Sequence, residues 1–334
     1  MKAIFFIRGK GLICAFLLAN IVSVYSVGNF ENNLVNVQEI GLAQIETIEI
    51  TYRSDNVNIF TNNSDTLIVK EFMSVNNSDY YAVIANNGNK LTINAGKRPS
   101  FSGPFRSFNS KIEIYVPVSA KNISIKTSSG GIKADDFSAV HSIRLEASSG
   151  NISAAGLTAE NLSFEASSGG ISCHRAVGNT AIKTSSGNIS FDRVDGDVSA
   201  SSSSGAIAIK EAEGSAAANT SSGNIEIGLA KGPVDLNSSS GSIRCTASET
   251  AGDITINTTS GNVTLKLPEN FLFNFSSRSS SGRITTPFQD KLLSPVSDRN
   301  QIQGTIGNAG AGANNYRNVT IRTASGSIQV SWAN

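Results

Sequence analysis

The sequence predicts an all-β protein, a parallel β-solenoid of about ten short two-strand rungs with an N-terminal β cap region. Three observations carry this. A Ser-Gly step recurs with its glycine at positions 130, 150, 169, 187, 205, 223, 241, 261, 282 and 326, mostly 18–21 residues apart. A fixed period of that size marks a chain built from one stacked unit. Aligned on the glycine, the residues two and four places later are mostly aliphatic, with polar or small residues between them. Ile189 and Phe191, Ile207 and Ile209, and Ile225 and Ile227 are examples. A second alternating run ends five places before each glycine, as in Ile123/Ile125, Leu162/Phe164 and Val234/Leu236. Alternation of period two is the pattern of a strand with one buried face.

The first 26 residues read as an export signal. Lys2, Arg8 and Lys10 give a basic start, an apolar stretch follows, and Val24-Tyr25-Ser26 offers small residues for a cut after Ser26. No later segment is apolar and long enough to span a membrane. Removing the signal takes three bases from 27 and no acids from 26, so the mature net charge is 24 − 26 = −2. Such a balance excludes a nucleic-acid partner, which needs a basic stripe.

Residues 27–115 form the N-terminal β region. IETIEI (45–50), TLIVKEF (66–72) and KIEIYVP (111–117) alternate but lack the Ser-Gly step. They suit either a small sandwich-like cap or irregular first coils. Within them, RPSFSGPFRSF (98–108) gathers Phe101, Phe105 and Phe108 around Arg106. This is a candidate binding surface for a partner or a membrane surface. The competing reading folds the rings over the solenoid end, in keeping with the usual burial of phenylalanine.

Residues 116–334 are the repeat proper. Stacked rungs lie about 4.8 Å apart, so isoleucine lies on isoleucine. The corner glycine is expected to need positive φ, and the serine beside it to satisfy corner backbone groups. Ten serines in phase with no histidine are turn chemistry. Before Gly282 the frame is expected to slip, because Phe271, Phe273 and Phe275 stand there with two extra residues. Cys173 and Cys245 share one column four rungs apart, roughly 19 Å by the strand spacing, beyond disulfide reach. Residues 286–318 read as a loop insertion in which Gly304-Thr305-Ile306 echoes the repeat as one degenerate rung. Trp332 continues the inward parity of Ile328 and Val330 and is expected to plug that end.

Charge gathers five and six places after the glycine, where His174-Arg175, Asp192-Arg193 and Lys210-Glu211 follow one another rung by rung. Arg175 is expected to face Asp192, and Arg193 to face Glu211. His174 with Asp192 is the histidine–carboxylate pair one rung apart that acid–base chemistry would use. The plainer reading of His174, Arg175, Asp192 and Arg193 is a surface ion-pair ladder of little energy. No cofactor or metal is expected. The turns lack the aspartates of calcium loops, the two histidines and separated cysteines make no zinc set, and GNAGAG lacks the Lys-Ser/Thr end of a phosphate loop.

The rungs SSGNISF, SSGAIAI, SSGNIEI and TSGNVTL, with IYVP before the first rung and the export signal, resemble a bacterial β-solenoid family labelled "putative adhesin". The resemblance covers roughly residues 45–334. It implies an exported protein of the periplasm or cell surface and brings no catalytic residues. The first expectation is therefore a non-enzymatic envelope or surface protein that offers a polar face to a glycan or to an envelope or host surface protein. Two alternatives stand beside it: a polysaccharide-acting enzyme centred on His174 and Asp192, and an architectural or envelope-stress component that works through one protein partner.

Overall fold

The structure, a computed structural model, describes residues 23–25, 34–42, 44–99, 108–298, 300–307 and 316–333. The expected export signal lies outside them apart from Ser23–Tyr25, and Phe101, Phe105 and Arg106 lie outside entirely.

Among the described residues, 29 strands join into one continuous hydrogen-bonded sheet. It is wound so that strands preceding each corner glycine form one parallel stack and those following it form another. Ile189 pairs with Ile207 and Ile207 with Ile225, so the isoleucine column exists as drawn from the sequence. All three are 1% exposed. Truncating any one of them to alanine costs about 2–5 kcal/mol by the usual core arithmetic. Inward residues of the two stacks meet across a thin core. Where the preceding stack narrows to Ala200 and Ala218, the following stack fills the space with Phe191 and Ile209. Phe164 and Phe191 meet edge to face, centroids 5.1 Å apart. Cys173 and Cys245 are buried free thiols, and burial pushes both up to about 12.

The corners differ from expectation in their cause. The ten repeat glycines do not have positive φ. They are glycines because neighbouring turns touch there. A Cβ on Gly205 would lie 2.5 Å from the carbonyl carbon of Gly187 and nearer still to its oxygen. Of the opposite-corner glycines, Gly178 and Gly196 do have positive φ, at 124° and 145°. The backbone is satisfied by the buried hydroxyl three places before the glycine, rather than by the exposed serine beside it. Thr220 Oγ1 accepts from the Gly223 N–H at 3.1 Å and donates to the Gly205 carbonyl of the turn below at 3.3 Å. Ser238, Thr258 and Thr323 repeat the pattern. One place after the glycine, asparagine alternates with a smaller residue from Gly131 to Asn262, and Arg283 departs from the pattern. Asn188 Oδ1 accepts from the Ala206 N–H, and Asn224 Oδ1 from the Ser242 N–H, both at 2.9 Å. These asparagines hold turn to turn.

At both ends, the order in space departs from the order in sequence. Arg317–Thr323 and Ile328–Trp332 lie between the turn of Gly261 and the turn of Gly282. The last turn of the chain is therefore next to last in the stack. Thr47–Thr51 and Asn56–Asn62 are likewise flanked on one side by Asn122–Thr127 and Ile132–Asp135. On the other side lie Lys90–Asn94 and Ser110–Pro117. The frame before Gly282 does not slip. Phe275 pairs with Val319 and Ser277 with Ile321, and buried Ser277 donates to the Ile302 carbonyl. Gln301–Ile306 is not a rung. It runs antiparallel to Phe273–Ser279 and, with Leu293–Ser297, extends the preceding stack beyond its last turn. Phe271, Phe273, Phe275 and Phe288 fill this end, and half-buried Trp332 packs on Phe288 at 5.3 Å. At the N-terminal end, Thr66–Met73, Leu34–Gly41 and Ser23–Tyr25 add antiparallel strands to the following stack, and Val83–Asn87 adds one to the preceding stack.

Candidate functional site

Three places bear on function: the charged corner, the buried polar cluster under the N-terminal strands, and a trough along the preceding stack.

The structure brings His174, Arg175, Asp192 and Arg193 onto one corner. His174 Nδ1 lies 2.7 Å from Asp192 Oδ2, and Lys210 Nζ lies 2.6 Å from Asp192 Oδ1. The Lys210 hydrogen bond, then that of His174, holds the Asp192 carboxyl below its ordinary range. Arg193 reaches Glu211 at 2.8 Å, as the sequence suggests. Arg175 passes over Asp192 and pairs with Asp195 at 2.6 Å instead, because Asp195 is less exposed and also takes Arg193. Lys231 closes the series on Glu211 and Glu213. The His174 side chain is 76% exposed. An open ladder of opposite charges is what stacking these residues at strand spacing produces. It offers no water-excluded wall to tune an acid and a base.

Of the candidate phenylalanine surface, only Phe108 lies within the described residues. Its ring meets Tyr80 edge-on at 5.6 Å and receives Arg98 at 5.5 Å. Arg98 in turn pairs with the wholly buried Asp55 at 2.9 Å, and Ser110 Oγ also bonds Asp55. Asp55 stands at the corner of the first turn, where the Gly130 turn docks on its carbonyl. Phe108 and Arg98 thus pack onto the solenoid end. Nearby, Glu71 occupies an inward position of its strand. It accepts from Asn36 Nδ2 at 2.8 Å and the Ala82 N–H at 2.9 Å, and burial raises its carboxyl. A single glutamate in the alternating run TLIVKEFM is the sequence signal for it.

The trough runs along the axis beside the Ser-Ser ridge and spans five turns as an open groove of about 510 Å³. One wall is the residue four before each glycine: Lys183, Ser201, Asn219, Asn237 and Asn257. These residues are in register, strand to strand. The other wall is the first serine or threonine of the corner, including Ser203, Ser221 and Ser239. Every lining residue is Ser, Thr, Asn or Lys. Asn257 donates to Asn237 at 3.0 Å and Asn237 to Asp235 at 2.9 Å, which orients the amides. A polar face is expected from the sequence, but the concavity is not, because it comes from the ridge standing above the strand.

The family model of the Toastrack DUF4097 domain matches residues 45–233 and 216–331. The chain belongs to the Toastrack DUF4097 family. The two overlapping matches run across the solenoid and include its first N-terminal turns, in agreement with the observed stacking. The solved structures to which the chain is similar are distant. A "putative cell adhesion protein" from Clostridium sporogenes is 11% identical with a TM-score of 0.27, over 89% of this chain and 98% of that one. A "putative adhesin" from Parabacteroides merdae is 15% identical with a TM-score of 0.43, over 70% and 95%. A "putative lipid binding protein" from Parabacteroides distasonis is 17% identical with a TM-score of 0.40, over 89% and 96%. No curated protein matches the sequence. No metal-ligating cluster of three or more His, Cys, Asp or Glu residues exists among the described residues. Among them, no helix is long and apolar enough to cross a membrane.

Proposed function

We propose that this Toastrack protein is an exported, non-enzymatic envelope or surface protein that binds through its polar solenoid face, as an adhesin does. The observation that carries the reading is the trough, five turns of uncharged amide and hydroxyl groups with a lysine at one end. A long run of fixed donors and acceptors recognises an extended polar ligand without chemistry on it. The basic start and apolar run of residues 1–26 support export. The enzyme alternative draws on His174 and Asp192, and the exposure of His174 argues against it.

Two measurements test the proposal. A tagged protein in intact cells is exposed to external protease. Digestion supports a surface role, and protection until the envelope is opened restricts the protein to the periplasm. Glycan and envelope-protein arrays then read binding. Binding without turnover supports the proposal, and glycan turnover that His174→Ala abolishes replaces it with the enzyme. One stoichiometric protein partner without a glycan signal replaces it with the architectural component.

A further inference from the structure

The column of residues that forms this wall continues in register past Asn257, its last residue in the trough. Asn257 is in register with Arg322, and Arg322 with Arg278. The two arginines leave the same face of adjacent parallel strands, about 4.8 Å apart at the backbone, and both are exposed. Their flanking neighbours on the same face are Asn257 on one side and Gln301 on the other. Among the described residues neither arginine has a carboxylate partner, whereas the corner arginines Arg175 and Arg193 are each paired. Like charges directly opposite one another on adjacent strands repel. The fold therefore holds a cationic pair with no internal counter-ion at one end of a polar trough. At the other end the same column passes through Lys183 to Glu165 and Glu146, whose charges are met by Arg144 and Lys126. Along the axis the column runs from ion-paired carboxylates, past Lys183, through the neutral Ser201, Asn219, Asn237 and Asn257, to the two arginines.

We infer that Arg322 and Arg278 are the anion-binding end of the trough, and that the whole takes a linear glycan bearing carboxylates. This rests on the surface-binding reading above. A guanidinium fork matches a carboxylate through two parallel hydrogen bonds. Beyond it, Asn257, Asn237 and Asn219 meet the hydroxyls of the uncharged part of the chain. An added peptide strand would need a free strand edge, and the trough crosses strands instead. A nucleic acid would need positive charge along the whole groove, and here Ser201, Asn219, Asn237 and Asn257 leave the stretch between Lys183 and Arg322 uncharged.

The probe is a hexamer of galacturonic acid, titrated calorimetrically at low salt into the full mature chain. Its fully methyl-esterified form and the free monosaccharide serve as comparisons. The double variant Arg278→Gln/Arg322→Gln changes exposed side chains and relieves their repulsion, so its thermal midpoint is expected to hold or rise. The expected result is that the wild type binds the hexamer. The double variant and the ester each weaken binding about ten- to hundredfold, as loss of charge-assisted hydrogen bonds does. Asn237→Trp, which fills the trough, weakens the hexamer and leaves the monosaccharide unchanged. Unchanged hexamer affinity in the double variant, or no hexamer binding by the wild type, overturns the inference. Equal binding of the hexamer and of its neutral methyl ester by the wild type also overturns this site, yet leaves the surface-binding reading standing. Failure of the wild type to bind any glycan or envelope component overturns both.

Discussion

Replacing Gly223 with alanine tests why the repeat needs its glycine. The backbone there is outside the positive-φ region, so conformation alone would favour alanine by about 0.4–1 kcal/mol through the unfolded chain. Contact decides otherwise. The new Cβ would lie 2.5 Å from the Gly205 carbonyl carbon and nearer still to its oxygen, whereas ordinary contact begins at 3.4 Å, so the turns must part by at least 3.4 − 2.5 = 0.9 Å. That takes the Thr220 Oγ1 to Gly205 bond, now 3.3 Å, and the Ser222 N–H to Ser203 bond, now 3.1 Å, out of hydrogen-bond range. Two such bonds at about 1 kcal/mol each, with a carbonyl left buried and unpartnered at about 1–3 kcal/mol, outweigh the entropic gain. The net expectation is a loss of about 2–4 kcal/mol, measured by urea unfolding. Gly41→Ala, whose Cβ would meet nothing within 4 Å, is the control and should lose nothing. A Gly223→Ala protein that unfolds at the wild-type midpoint would refute the touching-turn explanation.

Thr220→Val keeps the shape and removes the hydroxyl that serves Gly223 and Gly205, so urea unfolding should show a loss of about 2–4 kcal/mol. Thr220→Ser should be near neutral, since serine fills this role at Ser238. At the charged corner, Lys210→Met should raise the Asp192 titration midpoint in carboxyl NMR more than His174→Ala does, because Lys210 is its larger stabiliser. The sign follows: with its folded pKa lowered, Asp192 favours folding above its unfolded pKa and loses that contribution as pH falls through the folded value. The buried thiols Cys173 and Cys245, pushed up to about 12, should resist alkylation at pH 8 in the native protein. Both should react after denaturation, read by mass spectrometry; rapid labelling of either in the folded protein would contradict its burial.

The columns of the solenoid are legible because every turn repeats the same inward positions, and the cysteine separation follows from them. The ends are not. Val319 and Ile321 before Gly326 fit on Ile254 and Ile256 as well as any residues from the next turn in sequence would. A repeat that makes turns interchangeable cannot say which one stacks where. The frame before Gly282 misleads for a related reason. Ser277 sits where other turns place an aliphatic residue, and only the antiparallel strand bringing the Ile302 carbonyl makes that position tolerable. The arginine pair is hidden likewise. Arg278 and Arg322 each stand four before a glycine, so their column is readable. Their adjacency, across 44 residues of chain, depends on the insertion of the last turn.

A rope whose final coil is tucked under the one before it does not unravel when its end is pulled. Strands on both sides grip Arg317–Thr323 and Ile328–Trp332, so pulling on the C-terminus must shear two ladders together where an edge strand would peel from one. Thr47–Thr51 and Asn56–Asn62 are gripped in the same way near the other end. A stack is most exposed to failure at its tips, and here the C-terminal tip is closed by chain that comes from further inside the sequence.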